Sequence, residues 1–385
     1  MLKDKIKWVD IKAIFLFALA YPIALIKKIK YKNLWLFSER PNEARDNGFW
    51  MYKFVKENHP EQEAFYVIKK DSFDRKKLLK YGKTVNFGSF RHYVIFLVAK
   101  KHISAHVNSD SPNSRVSNFL ETHGLLKNKR IFLQHGITKD KISFGYYNVS
   151  RADLFVCAAL PEYKFCKEEF GYPDGAVQLL GFARYDGLGV IKPQNNIVLM
   201  PTWRSWLANA SEEEFLRSDY FKKYSELLCS KELNDILNKT KTELIFYPHS
   251  DMQKFISFFN VKSDKIIVAN QAEYDIQTLL NESKLLITDY SSVAFDFAYM
   301  NRPVIYYQFD YEEYRKHQHA EGYFSYKENC FGAICENERI LLYEIKKTVD
   351  RNFVSEKIYL NRENDFFYFH DQKNCERIYA SILEI

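Results

Sequence analysis

The chain has 385 residues, of which 46% are apolar and 27% are charged, and this balance excludes a disordered protein and favours two domains or one large α/β unit. The formal net charge is +7, yet eight lysines and two aspartates place +6 of it within residues 1–32. Because the rest of the chain is close to neutral, a uniformly basic nucleic-acid-binding protein is not predicted.

The basic N-terminal segment contains an uncharged run, Ala13–Ile26, with lysines on both sides. A transmembrane helix needs about 20 apolar residues, and Pro22 predicts a kink in any helix here. One interpretation is a segment that lies in the interface of an anionic leaflet, and the other is a first core helix packed on a sheet. The charge asymmetry favours the first, so residues 1–32 are predicted to be a membrane-associating arm.

Short apolar runs then alternate with helical patterns, which predicts a parallel α/β sheet. The first series of predicted strands is Asn33–Phe37, Ala64–Ile68, Thr84–Phe87, His102–His106, Arg130–Leu133, Leu154–Ala158 and Val177–Leu180. The second series is Ile197–Met200, Glu243–Tyr247, Lys265–Val268, Leu285–Thr288 and Val304–Tyr307.

A stretch rich in Gly, Pro and Asn, Gly187–Asn196, separates the two series and reads as a linker. We therefore expect a Rossmann-like domain over residues 33–190 and a second one over residues 191–365. One long helical stretch is expected over Phe215–Asn238. Residues 366–385 are predicted to be helical, and a return of this tail to the first domain is left open.

The segment Leu285–Gln308 predicts one strand–turn–helix–strand step, with a helix over Val293–Met300. Thr288, Ser291 and Ser292 lie in its turn, where side-chain oxygens cap a helix or meet an oxyanion. A helix start after a parallel strand presents unpaired N–H groups to anions. An ordinary helix cap and a phosphate site both remain open.

Three other predicted strand ends carry polar groups at the edge where α/β sheets bind ligands. His135 follows the strand that ends at Leu133, and Gly136 is expected to turn the backbone and expose the imidazole. Arg204 and His249 follow two strands of the second series. Cationic and N–H groups hold phosphate, and an imidazole can serve as a base, so this set predicts a phosphorylated donor.

Several familiar motifs are missing from the sequence. It contains no GxGxxG, no GxxxxGK[ST], no HExxH and no DxD, and its six cysteines show no CxxC spacing. We therefore expect neither a dinucleotide cofactor nor a metal ion.

Seven motifs in order resemble the CDP-glycerol glycerophosphotransferase family, which contains the teichoic-acid primases and polymerases. They are LWLFSERPNEARDNGFWMYKFV (34–55), LQHGITKDK (133–141), LLGFARYDGL (179–188), MPTWR (200–204), YPHSDMQ (247–253), ITDYSSVAFDFAYMNRPVIYY (287–307) and YEEYRKHQHAEGYFSY (311–326). There are two departures from the family pattern. The usual HGTP-type stretch is His135-Gly136-Ile137-Thr138 here, and Ser250 follows His249 where Pro is common.

The resemblance implies a GT-B-like α/β fold, in which two Rossmann-like domains face a central cleft. In the family the first-lobe histidine is the presumed base and the second-lobe histidine contacts donor phosphate, which makes His135 and His249 the candidate catalytic residues. The resemblance, taken with the strand-end pattern, assigns the donor phosphate or nucleotide to Arg204, Thr288, Ser291 and Ser292, with Asp289 structural. Arg45, Asn47 and Lys139 are candidates for contact with the acceptor or the cleft, and an ordinary turn over Arg45–Gly48 is an equally good alternative.

The implied reaction transfers an alditol phosphate from a CDP-alditol to a hydroxyl of a lipid-linked or polymer acceptor and releases CMP. Glycerol phosphate is the first candidate for the transferred group. The implied setting is teichoic-acid or capsule-like polymer synthesis at the cytoplasmic face of the membrane. The expected partners are the CDP-alditol, the lipid-linked acceptor and an anionic membrane surface, without nucleic acid, and an oligomer stays open. A nucleotide-sugar glycosyltransferase of the same fold and an inactive membrane-bound scaffold remain as alternatives.

Overall fold

The computed structural model describes residues 6–317 and 320–385. Residues 1–5 of the predicted arm therefore lie outside the described part. The chain forms two compact units. Unit 1 comprises residues 1–137, 143–186 and 371–385, and unit 2 comprises residues 138–142 and 187–370.

The strands in chain order are β1 (Trp35–Ser38), β2 (Ala64–Ile68), β3 (Lys83–Asn86), β4 (Lys101–Ser104), β5 (Lys129–Phe132), β6 (Asp140–Lys141), β7 (Leu154–Cys157), β8 (Val177–Leu179), β9 (Asn196–Met200), β10 (Glu243–Phe246), β11 (Ile266–Val268), β12 (Ser283–Thr288), β13 (Val304–Tyr307), β14 (Ala320–Glu321) and β15 (Gly332–Cys335). All twelve predicted strands are present within two residues at either end. The strands β6, β14 and β15 were not predicted.

The helices are α1 (Trp8–Lys30), α2 (Asn47–Asn58), α3 (Arg75–Leu78), α4 (Phe90–Val98), α5 (Ser114–Thr122), α6 (Tyr147–Ser150), α7 (Leu160–Glu169), α8 (Glu212–Arg217), α9 (Asp219–Leu228), α10 (Lys231–Thr240), α11 (Ile276–Glu282), α12 (Val293–Tyr299), α13 (Tyr311–His317), α14 (Tyr326–Asn329), α15 (Glu338–Asp350), α16 (Lys357–Phe366) and α17 (Asn374–Glu384). The helical stretch expected over residues 215–238 is helical, and it is divided among α8, α9 and α10. Ser218 makes one break, since its hydroxyl accepts the Phe221 N–H and starts α9.

Unit 1 is built on a seven-stranded parallel sheet in the order β3-β2-β1-β4-β5-β7-β8. Its strands are apolar runs that are buried along most of their length, as expected for a parallel sheet covered on both faces. The strand order reverses between β1 and β4. Such a reversal opens a crevice at the carboxyl ends of the two strands, where α/β sheets bind ligands.

Unit 2 has a six-stranded parallel sheet in the order β11-β10-β9-β12-β13-β15. Its order reverses between β9 and β12. The short strands β6 and β14 pair antiparallel and also belong to unit 2. Both units are therefore Rossmann-like, each with its own reversal point.

The helix α1 runs unbroken through Pro22, so the expected kink did not end it. One stripe of α1 is buried against α4 and α5 and comprises Ala13, Phe17, Ala20 and Ala24. The aromatic ring of Phe17 meets Tyr93 edge to face with 4.9 Å between centroids. The arm is thus not a separate domain, because this stripe is part of the unit 1 core.

The rest of the surface of α1 is exposed and mostly apolar, with lysines at Lys12, Lys27, Lys28 and Lys30. Its exposed residues include Trp8, Ile11, Ile14, Phe15, Leu19, Ile23, Leu25, Ile26 and Ile29. The mean hydropathy of the helix reaches 2.0, and by length and composition the helix could cross a membrane. The core-helix interpretation is therefore confirmed for the buried stripe, and membrane association of the exposed face stays a prediction.

The C-terminal helix α17 belongs to unit 1, whereas α16 belongs to unit 2. The carboxylate of Asp186 accepts the backbone N–H groups of Asn374 and Cys375 at the start of α17. Gly181 has φ +83°, and a Cβ there would lie 1.7 Å from the Asn374 side chain. Only glycine lets the β8 loop approach this helix so closely.

Candidate active site

In unit 1 the loop after β5 presents His135. The chain bends at His135 and Gly136, as expected for Gly136, and Gln134 just before them has a left-handed backbone with φ +59°. The amide of Gln134 donates to the Val156 carbonyl at 2.7 Å and to the Glu162 carboxylate at 3.0 Å. These buried hydrogen bonds hold a backbone conformation that non-glycine residues rarely adopt.

Asn47 fixes the same loop from the start of α2. Its amide donates to the carbonyl oxygens of Leu133 at 3.3 Å and Gln134 at 2.7 Å, and its own oxygen accepts the Arg184 N–H at 3.0 Å. Since Asn47 is fully buried, the prediction that it contacts the acceptor or the cleft is wrong. It is a positioning residue for the His135 loop.

The guanidinium of Arg184 completes this framework. It donates to the His135 carbonyl at 3.1 Å and to the Asp46 carboxylate at 2.7 Å. The loop backbone is therefore held on both sides, by Asn47 before His135 and by Arg184 at His135 itself. Arg184 was not singled out from the sequence, although it lies in the LLGFARYDGL motif.

The imidazole of His135 reaches solvent but is closely surrounded by protein. It stacks on His106 with 4.7 Å between ring centroids and 10° between planes. Desolvation lowers the pKa of His135, and the charges of Arg40 and Arg184 act in the same direction, whereas Asp46 opposes them. A lowered pKa favours the neutral form of the ring, which can accept a proton.

His106 is a second imidazole that the sequence did not identify as a site residue. It follows β4, and its Nδ1 atom is buried without a hydrogen-bond partner within the described residues. Desolvation, His135 and Arg40 hold the pKa of His106 well below the ordinary imidazole value. Two neutral rings therefore stack at adjacent strand ends of the first sheet.

The other two residues assigned to the acceptor or the cleft are engaged elsewhere. Arg45 donates to the Asp74 carboxylate at 2.7 Å. Lys139 belongs to unit 2, where its buried ammonium pairs with Asp140 and lies 5.7 Å from the ring centre of Tyr326. The burial of Lys139 disagrees with its assignment to a substrate surface, because its charge is already compensated.

In unit 2 the prediction that Arg204 faces donor phosphate is wrong. Its side chain is fully buried, and its guanidinium contacts the carboxylates of Asp289 at 2.8 Å and Asp310 at 2.7 Å. A further N–H donates to the Thr202 carbonyl at 2.7 Å. Burial of a guanidinium requires such compensation, so these two carboxylates take the charge that the sequence assigned to a ligand.

Thr288 is likewise internal. Its hydroxyl donates to the Met200 carbonyl at 2.6 Å and ties β12 to β9 where the strand order reverses. The assignment of its side chain to donor phosphate is therefore wrong. Asp289, expected to be structural, accepts the Thr202 N–H at 2.8 Å and is fully buried.

Three predicted residues of unit 2 remain accessible. The His249 side chain is 32% exposed, its ring lies beside Trp203, and its Nδ1 accepts the Asp251 N–H at 3.3 Å. Ser291 and Ser292 are partly exposed in the turn after β12. The Ser291 hydroxyl accepts the Val293 N–H at 3.3 Å, whereas the Ser292 side chain makes no cap hydrogen bond.

Comparisons with known proteins agree with this architecture. The chain is 34% identical over 367 residues to the minor teichoic acid biosynthesis protein GgaB of Bacillus subtilis, a match that covers 92% of this chain and 40% of GgaB. It is 22% identical to the teichoic acid poly(glycerol phosphate) polymerase of the same organism, covering 100% of this chain and 52% of that protein. The chain thus spans about half or less of the length of these relatives.

Solved structures show the same fold. The wall teichoic acid polymerase TagF superimposes with a TM-score of 0.68 at 16% identity, over 96% of this chain and 92% of that one. A putative UDP-N-acetylglucosamine 2-epimerase from Listeria monocytogenes gives a TM-score of 0.56 at 13% identity, over 91% and 95%. The match to the family described as CDP-glycerol:poly(glycerophosphate) glycerophosphotransferase extends over residues 19–384, and the chain belongs to that family.

Proposed function

We propose that this protein transfers an alditol phosphate from a CDP-alditol to a hydroxyl of a lipid-linked or polymer acceptor and releases CMP. Glycerol phosphate is the first candidate for the transferred group. The observation that carries the proposal is the neutral imidazole of His135, held at a strand end by Asn47 and Arg184 in a chain of this family. TagF, which shares the fold, has been soaked with CDPG, and GgaB is named for teichoic acid biosynthesis.

In the proposed step the acceptor hydroxyl gives its proton to His135 while its oxygen attacks the β-phosphorus of the donor. The new oxygen–phosphorus bond forms as the bond from that phosphorus to the bridging oxygen breaks, and CMP leaves with the electron pair. A base with a lowered pKa is available in its unprotonated form across the neutral range. No metal ion takes part in this proposal.

The donor phosphates are assigned to His249, Ser291 and Ser292, which are the accessible residues of the predicted set in unit 2. The burial of Arg204 changes its role, because it acts on the donor only through the turn that it supports. Tyr290 links the Arg204 ion cluster to this turn, because its hydroxyl donates to Asp310 at 3.0 Å and its backbone directly precedes Ser291. One preorganised donor at a developing charge is worth about 3 kcal/mol.

The test is nucleotide release by purified protein with CDP-glycerol, CDP-ribitol, UDP-sugars or GDP-sugars and a lipid-linked acceptor analogue on anionic vesicles. CMP formation that depends on the acceptor is expected. His135→Ala should lower the rate about a hundredfold or more. His123→Ala is the matched control, because His123 is exposed on α5 and its imidazole contacts only its own helix end in the described part of the chain.

Near-normal turnover by His135→Ala would refute the assignment of the base. Release of UDP or GDP in place of CMP would make the protein a nucleotide-sugar glycosyltransferase. No release from any donor, with vesicle binding intact, would support the inactive scaffold.

We further propose that α1 holds the protein at the cytoplasmic face of the membrane. Its exposed apolar residues lie beside Lys27, Lys28 and Lys30 at the end of the helix, a combination that suits the interface of an anionic leaflet. The double variant Phe15→Ser and Ile26→Ser should weaken sedimentation with anionic vesicles. Leu125→Ser, which changes an exposed leucine elsewhere in unit 1, should not.

A further inference from the structure

Unit 1 contains a pocket of about 450 Å³ at the reversal point of its sheet, between the loops that follow β1 and β4. Pro41 lines the pocket from the first loop, residues between Val107 and Asn113 line it from the second, and Ser114 and Arg115 line it from the start of α5. Most of its lining is polar and includes Asn108, Ser109, Ser111, Asn113, Ser114 and Arg115. The carboxyl ends of parallel strands at a reversal point are where α/β sheets bind ligands.

The pocket begins next to the candidate base. Val107 follows His106, whose ring stacks on His135, and Pro41 follows Arg40, whose charge acts on both imidazoles. Two residues that line the pocket are therefore direct sequence neighbours of Arg40 and His106, the groups that act on His135. None of the residues that the sequence assigned to the acceptor lines this pocket.

The chemistry of the pocket suits a chain of hydroxyl groups with a phosphodiester. Arg115 brings an exposed cation that lies 3.4 Å from the buried carboxylate of Asp10. Amides and hydroxyls supply the rest of the polar lining, and Phe87 is the one aromatic side chain among the described lining residues. The amides and hydroxyls can exchange hydrogen bonds with ligand hydroxyl groups while a phosphate meets the guanidinium, whereas a nucleobase would find little to stack on.

The pocket also touches the helix that carries the exposed apolar face. Asp10 lines the pocket from the first turn of α1, and Trp8 and Ile11 beside it in the chain are exposed. The Asn113 amide donates to Asp10 at 3.1 Å and ties the pocket wall to α1. A polar chain attached to a membrane lipid would therefore reach the pocket along this helix.

We propose that this pocket is an acceptor subsite that binds the polyol phosphate portion of the lipid-linked acceptor and directs its terminal hydroxyl to His135. The assignment rests on the proposed function, but binding to the pocket can be measured without turnover. The occupant is a short polyol chain joined by phosphodiesters. The donor nucleotide stays with unit 2.

Ser114→Trp tests the subsite, because Ser114 is exposed, lines the pocket and makes no side-chain hydrogen bond recorded in the described structure. Thr122→Trp is the matched control at the other end of α5, where Thr122 is also exposed. With a soluble glycerol phosphate oligomer as acceptor, Ser114→Trp should raise the acceptor KM about tenfold, equivalent to ~1.4 kcal/mol. The KM for CDP-glycerol and the melting temperature should stay unchanged.

Calorimetric titration of the same oligomer, without donor, gives the second readout. The wild type and Thr122→Trp should bind it, and Ser114→Trp should bind it about tenfold more weakly. Equal binding and equal acceptor KM in all three proteins would overturn the subsite. Equally tight binding of inorganic phosphate would overturn the polyol assignment. If CMP release fails but oligomer binding is lost in Ser114→Trp, then the proposed function fails and the pocket assignment stands.

Discussion

The two units use the carboxyl ends of their strands in opposite ways. In unit 1 the crevice between β1 and β4 is an open polar pocket, and the adjoining loop presents His135 to solvent. In unit 2 the corresponding place between β9 and β12 is filled by Arg204, with Asp289 and Asp310 around its guanidinium. Equivalent positions of two similar sheets thus hold an accessible site in one unit and a buried ion cluster in the other.

The difference shows that a polar residue after a parallel strand is an ambiguous signal. Whether it meets a ligand depends on which other side chains reach the same edge. Asp310 lies more than a hundred positions after Arg204 in the sequence, and Tyr290 and Tyr314 stack around the same guanidinium at 5.2 and 5.4 Å. The sequence close to residue 204 therefore does not predict these partners.

The largest expected effect on stability concerns Arg204. Arg204→Met should lower the free energy of unfolding by about 3–5 kcal/mol, because two buried carboxylates lose their partner. Chemical denaturation monitored by fluorescence measures it. Arg217→Met, which removes an exposed charge paired with Glu213, should change the same quantity by about 1 kcal/mol or less.

If Arg204 were a phosphate ligand after all, Arg204→Met would unfold at the wild-type denaturant concentration and would lose donor affinity. That result would mean that the strand ends of unit 2, like those of unit 1, present a ligand site at the reversal point and not a buried ion cluster.

Loss of the hydrogen bonds that hold the His135 loop should lower the catalytic rate. Asn47→Ala leaves the Leu133 and Gln134 carbonyls and the Arg184 N–H without their partner, at a cost of about 1–3 kcal/mol. We expect a lower kcat with an unchanged donor KM, measured by CMP release. A fall in donor affinity with normal kcat would instead place Asn47 in substrate binding.

Two buried carboxylates sharpen the comparison further. Glu39 in unit 1 accepts the N–H groups of Arg45 at 2.8 Å, Asp46 at 3.0 Å and Phe49 at 2.6 Å. The carboxylate oxygens of Glu363 in unit 2 have no hydrogen-bond partner within residues 6–317 and 320–385, and burial raises the pKa of Glu363 to about 8. Burial and the nearby Asp46 charge raise the pKa of Glu39 to about 8 as well, so the two carboxylates differ in their hydrogen bonds and not in the direction of their pKa shift.

Glu363 should therefore make stability fall as pH rises. Its ordinary pKa is 4.5, so between pH 4.5 and about 8 the unfolded chain releases this proton and the folded chain retains it. Glu363→Gln should leave the melting temperature unchanged at pH 4.5 and raise it at pH 8, by an amount equivalent to about 1–3 kcal/mol. Equal effects at both pH values would contradict the raised pKa.

Glu39→Gln should act in the opposite direction. The new amide presents a donor to the Arg45 N–H, where the carboxylate accepted it, so the melting temperature should fall at neutral pH by the equivalent of about 1–2 kcal/mol. Stabilisation by both substitutions would show that the two buried carboxylates are equivalent.

The smallest expected effect is on the pH profile. Because the pKa of His135 lies below 6.5, the acid limb of kcat/KM should have its midpoint below the ordinary imidazole value. His106→Asn removes the ring that stacks on His135 and so opens that side of the imidazole to water, while Arg40, Arg184 and Asp46 still act on it. Because desolvation is the largest cause of the lowered pKa, the midpoint should move modestly upward. A midpoint unchanged in His106→Asn would mean that His106 does not tune the base.

The strands were predictable from the sequence because most contain a short buried apolar run between turn residues. The strand β15 escaped prediction, since Gly332–Cys335 is short and begins with glycine. The pairing of β6 with β14 joins residues about 180 positions apart, and nothing in either dipeptide indicates a strand. Two of the three helices within residues 212–240 begin at a serine cap, Ser211 for α8 and Ser218 for α9, and an apolar periodicity does not register such caps.

Among the candidate site residues, the sequence located His135, His249, Ser291 and Ser292 at accessible strand ends, because their neighbours in the chain place them there. It misjudged Arg204, Thr288 and Lys139, whose surroundings come from distant segments. His106 was passed over because it was read as the end of a strand. Its stacking on His135 depends on the adjacency of β4 and β5 in the sheet.

The sequence by itself determined the alternation of strands and helices, the family, and the strand ends at which chemistry is possible, since all three follow from local patterns of apolar and polar residues. The tertiary structure decided which polar groups are compensated by one another and which remain exposed to a ligand. It also gave α1 two faces, one packed in a core and one apolar and exposed. Charge compensation and burial depend on contacts between distant segments, and only the folded chain brings those together.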